Sequence, residues 1–431
     1  MTIDVAVLLF GFLILLFLNV PIAFCIGLAT MLTMLMNMDT APAVSTIAQR
    51  IATGLDRFTL LAIPFFILSG QLMSQGGIAR RLVDFARSLV GFFPGGLAFV
   101  NIMSSMMFGA ISGSAIASAA AIGSFMHPKM RENGYDANFS AAVNVTSATT
   151  GLIIPPSNVL IVYSLASGSV SIAALFIAGY IPGLMLGVSL MLVAGIVAYV
   201  KGYGRDERVS LMTVLKRFGD ALLSLTLVFI IIGGIVGGVF TATEAAAIAV
   251  VYALFLTMVI YKEVLPNQLP KILLDTSVTT AIVMILIGTS MGLSWVLSYE
   301  NIPQDISRGL LDLTDNPFVI LLIINLVLLG VGTFMDMTPA ILIFTPVFLP
   351  VAVSLGMDPL HFGIMMVVNL CIGLCTPPVG TVLFVGCGVA NVSIADIVKP
   401  LLPFYVAMFL VLILITYVPE ITLFLPQWFG F

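Results

Sequence analysis

Charge is what this chain has least of. Only 8% of its 431 residues are Asp, Glu, Lys or Arg, against about 25% in a soluble domain. With 60% hydrophobic residues and a mean hydropathy of +1.20, no water-exposed surface can be built from this inventory. Histidine is nearly missing too: His127 and His361 fall at expected membrane edges in unrelated surroundings. No HExxH, GxSxG or P-loop motif occurs, and no nucleophile–base pair lies within apolar sequence. Metalloprotease, serine hydrolase and nucleotide-driven pump chemistry are therefore not expected, and neither is an enzyme of any kind. The four cysteines all sit in apolar segments. Cys371 and Cys375 share a helical face, but no His or further Cys completes a metal site, so they read as packing. The alternating, turn-rich pattern of a membrane β-barrel is absent. Residues 1–18 lack a basic leader and a small-residue cleavage site, so they read as a first span that is retained. The formal net charge of −4 says little by itself about partners, and no nucleic acid is expected among them.

What is present is apolar length. Runs of about 20 residues, enough for a helix to cross a bilayer, recur along the chain. The expected fold is an all-α polytopic membrane protein embedded in the lipid bilayer. Its ten crossings are 3–19, 21–37, 58–75, 138–167, 173–200, 220–240, 243–261, 276–298, 361–390 and 401–425. Two more apolar stretches, 92–126 and 317–349, are interrupted near their middles by Gly or Pro. They read as re-entrant helical hairpins, which survive at membrane depth only when buried in protein or lining a cavity.

Lys and Arg favour cytoplasmic loops. With the N-terminus outside and five crossings per half, 13 of the 16 Lys and Arg residues fall in cytoplasmic loops. The exceptions are Arg50, Arg57 and Arg308. Both termini are then periplasmic, and an odd number of crossings per half makes the halves inverted repeats. The first runs from 1 to 200 and the second from 220 to 431. Between them lies a basic linker, 201–219, expected to be a cytoplasmic, amphipathic surface segment.

The duplication is visible in the residues themselves. The stretch 134–181 reappears without gaps as 356–403, at a constant offset of 222. Gly134 meets Gly356, Asp136 meets Asp358, Gly151 meets Gly373, and Ser171 meets Ser393. The double prolines Pro155-Pro156 and Pro377-Pro378 coincide, breaking the helices 138–167 and 361–390 at the same place. Matched interruptions in duplicated halves point to a secondary transporter and to its site at mid-membrane.

Proline supplies no amide hydrogen, so the carbonyls of Gly151 to Ile154 are expected to lack helical partners. Na⁺, which needs oxygen donors and no formal anion, suits such a gap. The first hairpin turns through GAISGSAIASAAAIG (109–123), and the second through GVGTFMDMTPAILIFTP (330–346). One candidate cation site therefore draws on Ser112, Gly113, Ser114, Gly151, Ile154 and Pro156, with Thr150 and Ser157 nearby. The other draws on Gly332, Thr333, Asp336, Gly373, Thr376 and Val379. Helix halves restarting after each break direct amides at the gap, and these suit a carboxylate. The candidate substrate contacts are Ser112, Ser114, Asn158, Asp336, Thr338 and Thr381. Asp336 is an intramembrane acid and so a functional candidate. Glu244 is a second such candidate, but it lies close after a turn, so an interfacial or helix-capping role is the alternative.

The chain resembles the large membrane subunit of tripartite ATP-independent periplasmic (TRAP) transporters along essentially its full length. The resemblance rests on SGSAIASAAAIG (112–123), PPSN (155–158), AGYIPG (178–183), TEAAA (243–247), MDMTPAILIFTP (335–346) and CTPPVGT (375–381). It departs at Ala242, where that family usually has Pro before TEA. The resemblance implies an elevator-type member of the ion transporter superfamily in a bacterial inner membrane. It further implies Na⁺ coupling, a periplasmic substrate-binding protein, a small four-helix membrane subunit and carboxylate substrates such as sialic acid or C4-dicarboxylates. A stand-alone carboxylate carrier, driven by Na⁺ or H⁺ without a binding protein, is the alternative.

Overall fold

The computed structural model describes residues 3–168, 170–205, 209–314 and 316–431, and among them there is no β-strand. The first half begins with α1 (Ile3–Phe17), α2 (Ile22–Asn37), α3 (Thr40–Leu55), α4 (Ala62–Gln75) and α5 (Ile78–Val90). A hairpin follows, α6 (Gly96–Ser112) and α7 (Ala115–Glu132), then the two parts of a broken helix, α8 (Ala137–Ala148) and α9 (Asn158–Ser167). The half closes with α10 (Ile172–Ala178) and α11 (Tyr180–Lys201). The second half opens with α12 (Leu211–Val236), α13 (Ala242–Leu254), α14 (Leu269–Tyr299) and α15 (Ile302–Leu313). Its hairpin is α16 (Pro317–Phe334) and α17 (Met337–Ser354), its broken helix α18 (Pro359–Leu374) and α19 (Thr381–Ala390). Helices α20 (Ile394–Tyr417) and α21 (Glu420–Trp428) end the chain.

The landmarks of the repeat are punctuation. Asp136 and Asp358 each cap the next helix, accepting from Phe139 N–H at 2.9 Å and from Leu360 N–H at 2.7 Å. Ser171 and Ser393 do the same for α10 and α20. Gly134 and Gly356, at φ 79° and 86°, end α7 and α17 in the left-handed conformation that glycine adopts without strain. Both double prolines carry a cis peptide bond.

The offset of 222 also carries α2 onto α13, α4 into α14 and α7 onto α17. The halves then interlock in symmetry-related pairs. Helix α13 packs on α4 and α2 on α14; α7 packs on α19 and α17 on α9. At the centre, Cys371 donates its thiol to the carbonyl of its own counterpart, Thr149, at 3.5 Å. A pseudo-twofold axis passes through that contact. Cys375 likewise donates to Val145 across the seam, so the two thiols that share a face are packing and hydrogen-bonding groups.

Several expected boundaries move. The hairpins extend to Glu132 and Ser354, beyond 126 and 349. Helix α12 begins at Leu211, so Lys216 and Arg217 lie on its first turns and not in a separate surface segment. Residues 206–208 of the expected linker lie outside the described residues. The last span, expected over 401–425, starts at Ile394 and breaks near Pro419. Helices α3, α5 and α15 belong to none of the ten crossings; α5 and α15 are strongly amphipathic and occupy equivalent positions. Among the described residues, eight helical stretches are long and apolar enough to cross a membrane, both arms of the second hairpin included. Helices α1 and α2 are shorter, and the two broken helices reach crossing length only as pairs of segments. His361, in the first turn of α18, is buried, with its ring nitrogens 2.7 Å from Thr422 Oγ1 and 3.3 Å from the Thr416 carbonyl.

Candidate functional site

Each hairpin tip stops beside the middle of a broken helix, because glycines let the backbones touch. A Cβ on Gly151 would sit 2.2 Å from Gly109 Cα, and one on Gly373 would sit 2.6 Å from Gly332 Cα. The tips are therefore close to the level of the breaks. The turn of the first hairpin is Gly113-Ser114, with Gly113 at φ 62°. Ser114 caps α7, its hydroxyl accepting from Ala117 N–H at 3.2 Å. Its counterpart, Asp336, stands at the same position of α17 but makes no capping hydrogen bond.

Both tips and both breaks open on one cavity of about 320 Å³. All six side chains expected at the substrate line it: Ser112, Ser114, Asn158, Asp336, Thr338 and Thr381. The opposite wall belongs to α4 and α14 and adds Gln71, Ser74 and Thr279. Those three were not singled out in the sequence, since single polar residues in long spans carry no motif. Gly70 on the same wall meets the first tip by backbone alone: a Cβ there would sit 2.6 Å from the Ser112 carbonyl oxygen. Asn158 Oδ1 and Thr381 Oγ1 are buried without hydrogen-bond partners, one from each half. Among the described residues, no Lys or Arg lines the cavity, and Asp336 is its one acid.

Gly113 lines this cavity too, and the remaining expected cation ligands are not among its lining residues. In the first break, Thr150 O accepts from Ile153 and Ile154 N–H, and Leu152 O accepts the Ser157 hydroxyl at 2.5 Å. The carbonyls of Gly151, Ile153 and Ile154 take no hydrogen bond among the described residues. The expectation of four unpartnered carbonyls is thus too broad by one, since Ser157 reaches back to satisfy Leu152. The second break is more fully satisfied. Gly373 O accepts from Thr376 N–H at 2.9 Å, Thr376 O from Gly380 N–H at 3.2 Å, and Cys375 O from the Tyr405 hydroxyl. Thr333 and Thr376 spend their hydroxyl hydrogens on Gly330 and Ile372 carbonyls one turn back, which leaves oxygen lone pairs free. Pro156 is buried while Val379 is exposed. Glu244 is a cap: its carboxylate accepts from Thr241 N–H at 2.8 Å while the Thr241 hydroxyl accepts from Glu244 N–H. Ala242 is the first helical residue there, a position where proline fits without losing a bond.

Residues 9–421 match the family described as the tripartite ATP-independent periplasmic transporter, DctM component. The chain belongs to that family. As a DctM-family protein it is a multi-pass transporter permease component and not an enzyme. It is 56% identical to an uncharacterized Salmonella typhimurium protein, YgiK, over 98% of each chain. It is 43% identical to the C4-dicarboxylate TRAP transporter large permease DctM of Pseudomonas aeruginosa, over 94% of each. It is 39% identical to the sialic acid TRAP transporter large permease SiaM of Vibrio cholerae, over 98% of each. Among solved structures, the Alcanivorax borkumensis YdaH transporter shares the fold, with a TM-score of 0.63 at 14% identity, covering 91% of this chain and 89% of that one.

Proposed function

We propose that this DctM-family permease takes up an organic acid, of the sialic acid or C4-dicarboxylate type, together with Na⁺. Its partners in that reading are a periplasmic binding protein and a small membrane subunit, and both of its termini face the periplasm. The observation that carries the reading is the single cavity into which Ser112, Ser114 and Asn158 from one half and Asp336, Thr338 and Thr381 from the other all open.

The donor set suits the co-transported cation, for the gaps offer main-chain and hydroxyl oxygens and no fixed positive charge. Gly151 and Ile154 carbonyls with the Ser112 region would hold one ion, and Gly332, Gly373 and Asp336 another. A bound cation supplies the positive charge that the cavity's side chains lack. Asn158 and Thr381, buried and unpaired, are left to hydrogen-bond the substrate, an arrangement that strongly disfavours an empty closed cavity. Coupling follows where ion and substrate favour the same arrangement of the tips. In the elevator reading, hairpins and broken helices move as one body against α2, α4, α13 and α14. Where Gly70 meets the Ser112 backbone, no side chain stands between the two bodies.

The test is uptake of labelled N-acetylneuraminate or labelled succinate by proteoliposomes holding the permease, a small subunit and a binding protein. Exchange of Na⁺ for K⁺ is expected to stop uptake. Undiminished uptake in K⁺ removes the ion assignment, and uptake without a binding protein turns the reading to a stand-alone carrier.

A further inference from the structure

The wall that faces the two tips breaks the symmetry of the repeat. Helix α4 turns one face to the cavity, with Ile63, Ile67, Gly70, Gln71 and Ser74 in line at helical spacing. At the offset of 222, Gln71 and Ser74 correspond to Leu293 and Val296 of α14, both apolar and buried. The other half therefore packs at these positions without polar groups. Gln71 is half-buried, and neither its carboxamide nor the Ser74 hydroxyl makes a hydrogen bond among the described residues. A polar side chain within a membrane-spanning helix is costly unless it serves a site. The preceding residue, Gly70, lies so near the first tip that a Cβ there would sit 2.6 Å from the Ser112 carbonyl oxygen. Gln71 thus stands beside the tip, on the cavity.

We propose that Gln71 is a substrate contact, and that it reads a neutral, hydroxyl-bearing end of the transported acid. This rests on the uptake reading above and narrows it to hydroxylated monocarboxylates, the sialic acid type, against C4-dicarboxylates. In that reading the cations at the tips and breaks hold one carboxylate. The far end of the substrate then meets the wall, where Gln71, Ser74 and Thr279 are the polar side chains and none is charged. A carboxamide offers N–H donors and a carbonyl acceptor, which match hydroxyl groups that both donate and accept. A second carboxylate only accepts, and at this wall it would lose water without gaining a counter-charge. Asp336, an acid in the same cavity, adds repulsion.

Thermal protection of the purified full chain in Na⁺ tests this without a binding protein. The probes are N-acetylneuraminate and D-gluconate, with succinate as the dicarboxylate and hexanoate as the acid without hydroxyls. At least one hydroxylated acid is expected to protect at about tenfold lower concentration than succinate or hexanoate, the scale of one or two uncharged hydrogen bonds. Gln71→Leu, which installs the residue of the other half, is expected to erase that preference while the ligand-free chain melts like wild type. Should Gln71→Leu fail to fold, Gln71→Met, which keeps the length and removes the amide, decides. Succinate protecting as well as the hydroxylated acids overturns the inference and leaves the uptake reading standing. So does a preference that survives the substitution, even where the melting point moves, for Gln71 is then a packing residue. Protection by none of the acids overturns both the inference and the uptake reading.

Discussion

Residues 151–157 of the first break are buried throughout, whereas in the second Pro378 and Val379 reach the surface. The same double proline is completed differently in each. In the first, Ser157 supplies a hydroxyl to the stranded Leu152 carbonyl. In the second, Gly380 closes the loop with its own amide, and a side chain there would strike the Leu374 and Thr376 carbonyl oxygens at 2.6 and 2.8 Å. The buried break still leaves carbonyls unanswered beyond Leu152, while the exposed one is closed by main-chain bonds and the Tyr405 hydroxyl. Polar chemistry in the cavity divides in the same way. Ser114 and Asp336 are counterparts and both line the cavity, yet Ser114 also caps its helix while Asp336 makes no capping bond.

The comparison breaks most visibly at the glycine contacts. Gly151→Ala drives a methyl to within 2.2 Å of Gly109 Cα, while Gly332→Ala meets Gly373 Cα at 3.2 Å. The first is expected to cost about 3 kcal/mol or more and the second about 1 kcal/mol, by the scale of overpacked cores. Thermal midpoints by fluorescence-detected gel filtration read the difference. Next comes the counterpart pair. Asp336→Asn is expected to lower uptake per folded protein at least about tenfold, since hydrogen bonds to charged groups contribute about 1.5–3 kcal/mol. Ser114→Ala instead lowers stability by about 1 kcal/mol, the usual value of a lost cap. Equal uptake by wild type and Asp336→Asn would remove the acid from the site. The smallest contrast is Ser157→Ala against Val379→Ala. Stranding a buried carbonyl costs about 1–3 kcal/mol, and trimming an exposed valine within about 0.5 kcal/mol. Equal melting of the two variants would show that the breaks do not differ in how they are satisfied.

Much of this architecture is written in periodic apolar length and in the duplication, which is why the hairpins, breaks and repeat register are legible from residues alone. The amphipathic helices α5 and α15 are not, because their polar faces dilute the hydrophobic average that marks a span. The early start of α12 is hidden for the same reason, by Lys216 and Arg217 on its first turns. Within the site, residues on the glycine- and proline-rich segments stand out because such sequence has no other reason to be there. Gln71, Ser74 and Thr279 do not, since a lone polar residue on a long helix reveals its facing only once the helices are packed. The carbonyls were over-counted because a serine two residues past a proline can turn back, and spacing does not show which way a hydroxyl points.

The touch between Thr149 and Cys371 has a consequence for how this chain can vary. It makes the polypeptide its own homodimer, joined along a seam that in a true dimer would pair a residue with itself. Off that seam the halves need not match, as the tips carry Ser114 in one and Asp336 in the other. On it a substitution is felt by both halves together, so tolerated changes there should come in compensating couples.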